Sequence, residues 1–210
     1  MFTLFGRAGS GSVVVECLLE LAGAGYRMED VPPGDGRSAP LAYRALNPLG
    51  QVPTLLLPDG AVMTESAAIT IHLCDLFPGL GLAPAAGTPA RGQFLRWLFF
   101  CAASLYASNM RLYYGERYTD DADGGQAVKT EAESRLAREW AVVAEGLGAK
   151  PFMLGGAMSA LDIYVAMLID WNSDVAAFRA LHPNLAAMRD RVAAVPKIAD
   201  VWQRNGLMPQ

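Results

Sequence analysis

Asn47-Pro48-Leu49-Gly50-Gln51-Val52-Pro53-Thr54-Leu55, followed ten residues later by Glu65-Ser66, is the stretch around which this chain is organised. Its first half reads as a turn. Asn-Pro with a glycine two residues on is loop chemistry, and the residue before a proline is pushed out of the helical region. Thr54-Leu55-Leu56-Leu57 is an apolar run of strand length, stopped by the turn residues Pro58-Asp59-Gly60. Pro53 cannot donate a ladder bond, so it belongs at the mouth of that strand. A second short strand, Ala61-Val62-Met63, leads into Thr64-Glu65-Ser66, a helix start before the run from Ala67 to Leu76.

This order leaves the backbone of Val52 free to pair outward at a sheet edge. It also turns the positive end of a helix, with its unpaired N–H groups, toward the same region. An extended peptide could pair with Val52 and set a carboxylate on that helix end. A short acidic peptide is the ligand such a site fits.

Asn-Pro-x-Gly-x-Val-Pro followed by Glu-Ser resembles the glutathione-binding half of the soluble glutathione S-transferases. The resemblance implies that the Val52–Pro53 bond is cis, that the Val52 backbone pairs with the cysteine of glutathione, with Gln51 beside it, and that Glu65 and Ser66 hold the γ-glutamyl end.

The chain has 210 residues, 52% of them hydrophobic, enough to bury a substantial core in one large or two small domains. With 21 acidic against 17 basic residues there is no basic patch for nucleic acid and no polybasic membrane anchor. Cys17, Cys74 and Cys101 are scattered, which fits neither a disulfide framework nor a zinc site and favours a reducing compartment. His72 and His182 lack ligand spacing, so no metal is expected. The Val13-Val14-Val15 run is interrupted by Glu16 before it could serve as a signal core, and Trp97 to Ala103 is far shorter than a membrane span. The expectation is a cytoplasmic protein.

Phe2 to Phe5 reads as a strand, Gly6 to Ser12 as a glycine-rich loop opening a helix from Val13 to about Ala24, and Tyr26 to Val31 as a second strand. Strand–helix–strand implies a parallel pair with a right-handed crossover. With a short helix from Leu41 to Leu46, the N-terminal order is βαβαββα, that of a thioredoxin-like α/β domain. A dinucleotide site is disfavoured because Gly6, Gly9 and Gly11 give G-x-x-G-x-G in place of G-x-G-x-x-G.

Residues 79–88, rich in Gly, Pro and Ala, read as a linker between a domain at 1–78 and an all-α domain at 89–210. Phe94, Trp97, Leu98, Cys101 and Leu105 keep helical spacing, as do Leu136, Trp140, Val143 and Leu147. Ser159 and Asp162 are spaced as a capping box before the nearly wholly apolar helix from Ile163 to Ile169. That box, and His182-Pro183-Asn184-Leu185 with Arg191 and Pro196, resemble the family's helical domain, so the likeness spans nearly the whole chain. His182 reads as a turn residue.

The chemistry the resemblance implies is thiolate generation from bound glutathione. A free thiol titrates near about 8.5, and lowering that by about two units needs roughly 2.7 kcal/mol. A hydrogen bond to a charged group supplies roughly 1.5–3 kcal/mol, and a helix N-terminus roughly 0.3–1 more. Gly9-Ser10-Gly11-Ser12 offers both. Families in this group place Tyr, Ser or Cys in this loop, and with no tyrosine and no cysteine here the resemblance implies a serine-type site. A Gly-Ser pair just after the first strand resembles serine-type members and favours Ser10, alignment through the helix leaves Ser12 open, and at least one of the two caps the helix. The resemblance further implies a homodimer, and a small hydrophobic electrophile walled by Tyr106, Arg111, Tyr113, Tyr114 and Trp171, with Arg111 able to orient an anionic one. Within the same fold, peroxidase or isomerase activity, or glutathione binding without conjugation, are the alternatives.

Overall fold

The computed structural model describes residues 1–34 and 38–207. Packing divides the chain into two compact units, Met1–Pro84 with Asp190–Gln210, and Ala85–Arg189.

The first unit runs β1 (Phe2–Gly6), α1 (Ser12–Ala22), β2 (Tyr26–Asp30), α2 (Leu41–Arg44), β3 (Thr54–Leu56), β4 (Val62–Thr64) and α3 (Ser66–Leu76). The four strands form a mixed sheet in the order β2-β1-β3-β4, with β1 parallel to β2 and the other pairs antiparallel. This is the expected thioredoxin-like α/β order. The central strands β1 and β3 are almost wholly buried, with Leu4 and Leu55 fully so. Helix α1 packs against β1, α3 and the last helix of the chain, which is why Ser12 to Leu19 are buried without interruption. It ends two residues before the expected Ala24. Gly23 takes a left-handed conformation (φ 62°), and the amides of Gly23 and Ala24 close on the carbonyls of Glu20 and Leu19 at 3.0 Å each.

Two other bounds differ for local reasons. Strand β4 begins at Val62, one residue late, because Ala61 closes the hairpin turn. Its carbonyl accepts from Leu57 N at 2.8 Å and its amide donates to Asp59 Oδ1 at 3.0 Å. Helix α2 stops at Arg44 because the amides of Leu46 and Asn47 both fold back onto the carbonyl of Tyr43, at 2.9 Å each.

The rest of the chain is helical: α4 (Pro89–Phe100), α5 (Ala107–Tyr113), α6 (Gly125–Leu147), α7 (Ala160–Ile169), α8 (Val175–Leu181), α9 (Pro183–Ala193) and α10 (Pro196–Arg204). Among the described residues of the second unit, the only β pairing is an isolated bridge between Phe152 and Gly155. Helices α4 and α5 run together through a π-turn at Cys101–Tyr106. Asn109 Nδ2 donates to the Leu105 carbonyl at 2.9 Å in that widened turn. Every residue of α7 is buried. Its start is held by Asp162, whose carboxylate accepts from Ser159 N (2.8 Å), Ser159 Oγ (2.7 Å) and Met153 N (2.7 Å). The capping box is therefore present, and it also ties down the preceding loop.

Helix α8 was not anticipated. It buries a single side chain, Phe178, and so carries no apolar period; Asp174 starts it by accepting from Ala177 N at 2.9 Å. His182 ends it, buried and 5.0 Å from the Phe178 ring, a turn residue as expected. Among the described residues, no helix is long and apolar enough to cross a membrane.

Candidate functional site

The strand register decides what meets at one end of the sheet. Phe5 stands opposite Thr54, and Thr54 opposite Thr64. Continued two residues past the ladder, that register sets Arg7 level with Val52 on one side and Ser66 level with Val52 on the other. The glycine-rich loop, the Gln51-Val52-Pro53 turn and the Glu65-Ser66 corner thus share one sheet end.

The Val52–Pro53 bond is cis, as the motif implied. Pro53 is buried, Val52 half-buried and Gln51 exposed. The turn is braced from beneath. The Gln51 carbonyl accepts from the Tyr43 hydroxyl and from Asn47 Nδ2 (2.8 Å). Tyr43 and Asn47 also meet Thr54 Oγ1 at 2.9 and 3.1 Å. Asn47 Oδ1 accepts from Leu49 N at 3.2 Å, and Gly50 turns the chain at φ 63°. Among the described residues, the N–H and C=O of Val52 have no hydrogen-bond partner. Tyr43 was not singled out in the sequence, and nothing in its spacing marks it. It is 5% exposed, packs with Val31, Ala39, Phe5 and Val52, and burial raises its phenol pKa.

Glu65 is exposed and, among the described residues, is the one non-glycine with positive φ (65°). That conformation costs of order 1–3 kcal/mol and is held only where surroundings over-determine it. Glu65 is the N-cap of α3 and its side chain makes no cap hydrogen bond among the described residues; Ser66 is the first, buried residue of the helix. The amides of the first turn therefore face the sheet end together with the helix dipole.

In the glycine-rich loop the two serines sit differently. Ser12 is fully buried and Ser10 half-buried. The Arg7 carbonyl accepts from Ser10 Oγ (2.8 Å) and Ser12 Oγ (3.0 Å), and Arg7 N donates to Ser12 Oγ at 3.2 Å. The two hydroxyl oxygens lie 2.9 Å apart. Ser10 Oγ accepts the amide of Ser12 at 3.3 Å and the Ser10 carbonyl accepts that of Val13 at 3.1 Å. Ser10 is therefore the hydroxyl that meets a helix-start amide, one residue before the Gly11 N-cap, while Ser12 is an internal brace. Gly6 is required by this packing, since a Cβ there would lie 2.5 Å from Ser12. Outside the loop no cysteine is poised as a nucleophile: all three are buried, and burial pushes the Cys101 thiol up to about 12.

In the helical unit the predicted wall residues fall into two groups. Tyr106 and Trp171 meet edge to face at 5.0 Å, and the Tyr113 hydroxyl donates to the Trp171 carbonyl. The π-turn ends at Tyr106, so it sets that ring's direction. Trp171 Nε1 is buried and, among the described residues, has no hydrogen-bond partner. Arg111 donates to the Ala107 carbonyl at 3.0 Å and lies over the ring of Tyr118, 5.2 Å from its centroid. Tyr114 is covered by Arg117 at 3.8 Å. The aromatic partner of Arg111 is thus Tyr118, a residue not among those predicted.

The glutathione S-transferase N-terminal domain family matches residues 12–76, and the C-terminal domain family matches residues 108–204. The chain is 33% identical over 209 residues to the uncharacterized GST-like protein YncG of Escherichia coli (strain K12), covering 99% of this chain and 100% of that one. It is 28% identical over 165 residues to glutathione S-transferase GstA of Escherichia coli O157:H7, covering 79% of each. Among solved structures, a sphingomonad glutathione S-transferase complexed with glutathione superposes with a TM-score of 0.82 at 27% identity, covering 98% of this chain and 100% of that one.

Proposed function

The chain belongs to the glutathione S-transferase family, and from that membership we propose that it binds glutathione at the sheet end and activates its thiol for attack on a small hydrophobic electrophile. The observation that carries the reading is the open backbone of Val52 beside the uncapped start of α3. An extended peptide can pair with Val52 through both main-chain groups. Its γ-glutamyl carboxylate then meets the first-turn amides and the Ser66 hydroxyl, and its ammonium the exposed Glu65 carboxylate. A relative of known structure is complexed with glutathione, which supports the same ligand here.

Thiol activation follows from how the hydroxyl protons are shared. Ser12 can keep its proton on the Arg7 carbonyl while accepting the Arg7 amide. Ser10, held by the Ser12 amide, is then free to turn its own proton from the Arg7 carbonyl to the ligand sulfur. The glutathione proton leaves to solvent, the thiolate is stabilised by Ser10 and the start of α1, and a sulfur–carbon bond forms as the electrophile's leaving group departs. Tyr106, Trp171 and Tyr113 form one aromatic group within the helical unit and are the residues the family likeness nominates for the electrophile, with Arg111 and Tyr114 as less direct candidates.

A second reading, glutathione binding without conjugation, is favoured by one feature: both serine hydroxyls already find partners within the loop. A panel of electrophiles, peroxides and disulfides, assayed with and without glutathione, separates the two. Conjugate formation supports the transferase, turnover of peroxides or disulfides alone points to another chemistry on the same site, and binding without turnover supports the second reading. We further propose a cytoplasmic homodimer; sedimentation at micromolar concentration reports the oligomeric state.

A further inference from the structure

We propose that Arg7 is the cation that stabilises the glutathione thiolate, acting beside the Ser10 hydroxyl; the proposal rests on the glutathione reading above. Phe5 packs on Tyr43 with ring centroids 5.4 Å apart. Arg7 follows directly on β1, which ends at Gly6, and continued alternation would set it on the face of Phe5. Val52 packs on the same cluster as Tyr43, and Arg7 and Val52 each lie two residues past the last ladder pair, Phe5 opposite Thr54, at the same sheet end. The side chain is held: its Nε is buried, and among the described residues it has no hydrogen-bond acceptor there and no carboxylate partner. Its charge is felt nearby, since it opposes the rise of the Tyr43 phenol pKa.

These facts describe a positive charge with no carboxylate partner among the described residues. A fully buried arginine is almost always paired; Arg7 is half-buried, with its Nε out of water and no acceptor there among the described residues. This one instead occupies the segment whose carbonyl and amide clamp Ser10 and Ser12. An anion arriving between Val52 and Ser10 supplies the missing partner charge. An opposite charge within about 4–6 Å lowers the pKa of the group that becomes charged by roughly 1–3 units. A cation already standing at the sheet end reduces the reorganisation needed when the proton leaves.

The test is ultraviolet titration of glutathione bound to the wild type, Arg7→Gln and Arg7→Lys, beside the affinity of each for S-methylglutathione, which cannot form a thiolate. The expected result is a bound-thiol pKa higher by about one unit or more in R7Q, a value near wild type in R7K, and S-methylglutathione affinity unchanged in both. Melting temperatures and circular dichroism establish that the variants fold; were R7Q unfolded, R7K and Arg7→Met would carry the same comparison. A bound-thiol pKa that stays put when the charge is removed overturns the proposal. So does a loss of S-methylglutathione affinity without a pKa change, which would make Arg7 a carboxylate anchor. If the wild type itself shows no saturable glutathione binding, it is the glutathione reading that fails.

Discussion

Arg204 Nε donates to Glu16 Oε1 at 2.7 Å, fastening the last helix of the chain to its first. The same guanidinium reaches Glu20 Oε1 at 2.7 Å and the Tyr26 hydroxyl at 2.9 Å, while Asn205 Nδ2 takes the other Glu16 oxygen at 2.8 Å. Asn205 also turns its carbonyl toward Gly9, next to Ser10. Helix α10 therefore packs with the unit that carries the candidate site, although it follows the helical segment in sequence.

Removing that cation leaves a carboxylate that is only 3% exposed without its strongest partner. A fully buried pair would lose about 3–5 kcal/mol. Arg204 is 42% exposed, so solvent screening reduces the figure. Arg204→Ala should cost about 1.5–3 kcal/mol in urea denaturation, and Arg204→Lys about half of that. A loss under about 0.5 kcal/mol would show that Glu16 is stabilised by Asn205 and Tyr26 alone.

Much of this was legible before any coordinates. The run from Asn47 to Leu55, with Glu65-Ser66, carried the turn and the strand because each depends on local chemistry, while the cis proline followed from the family resemblance alone. The capping box at Ser159 and Asp162 was legible for the same reason. What spacing could not carry is tertiary. Tyr43 braces Gln51 through a contact with no sequence period, and α10 joins the first unit through Glu16, 188 residues away. Helix α8 buries one side chain and so has no pattern to read. The division of labour between Ser10 and Ser12 required knowing which hydroxyl faces inward.

Ser66 is expected to hold the γ-glutamyl end. Ser66→Ala should weaken glutathione binding by about 1 kcal/mol, roughly fivefold, with the fold intact. Calorimetry on both proteins checks this, and an unchanged dissociation constant would remove Ser66 from the site.

The two serines should separate cleanly. Ser10→Ala should raise the pKa of bound glutathione by about one to two units and cost at most about 1 kcal/mol of stability through the lost cap. Ser12→Ala removes a buried hydroxyl that bonds both main-chain groups of Arg7, and should cost about 1–3 kcal/mol. Thermal melts beside the thiol titration distinguish them. A Ser12 variant of wild-type stability would contradict the bracing role.

His182 gives the chain an acid-sensitive point. It is buried, and desolvation lowers its pKa from the ordinary 6.5. The unfolded state therefore binds the proton first, and stability falls as pH drops below about 6.5 toward the depressed folded value. His182→Gln should flatten this part of the stability profile. Chemical denaturation of both proteins between about pH 7 and pH 5 tests it, and parallel profiles would show that other groups govern the acid limb.

The central claim is that this sheet end binds glutathione and ionises it. Its most direct test is the ultraviolet absorbance of the thiolate in the wild-type complex, followed as a function of pH at saturating protein. The account predicts a saturable thiolate signal that titrates about two units below the free thiol's value of about 8.5. A signal that titrates with free glutathione, or no protein-dependent thiolate at all, would contradict it.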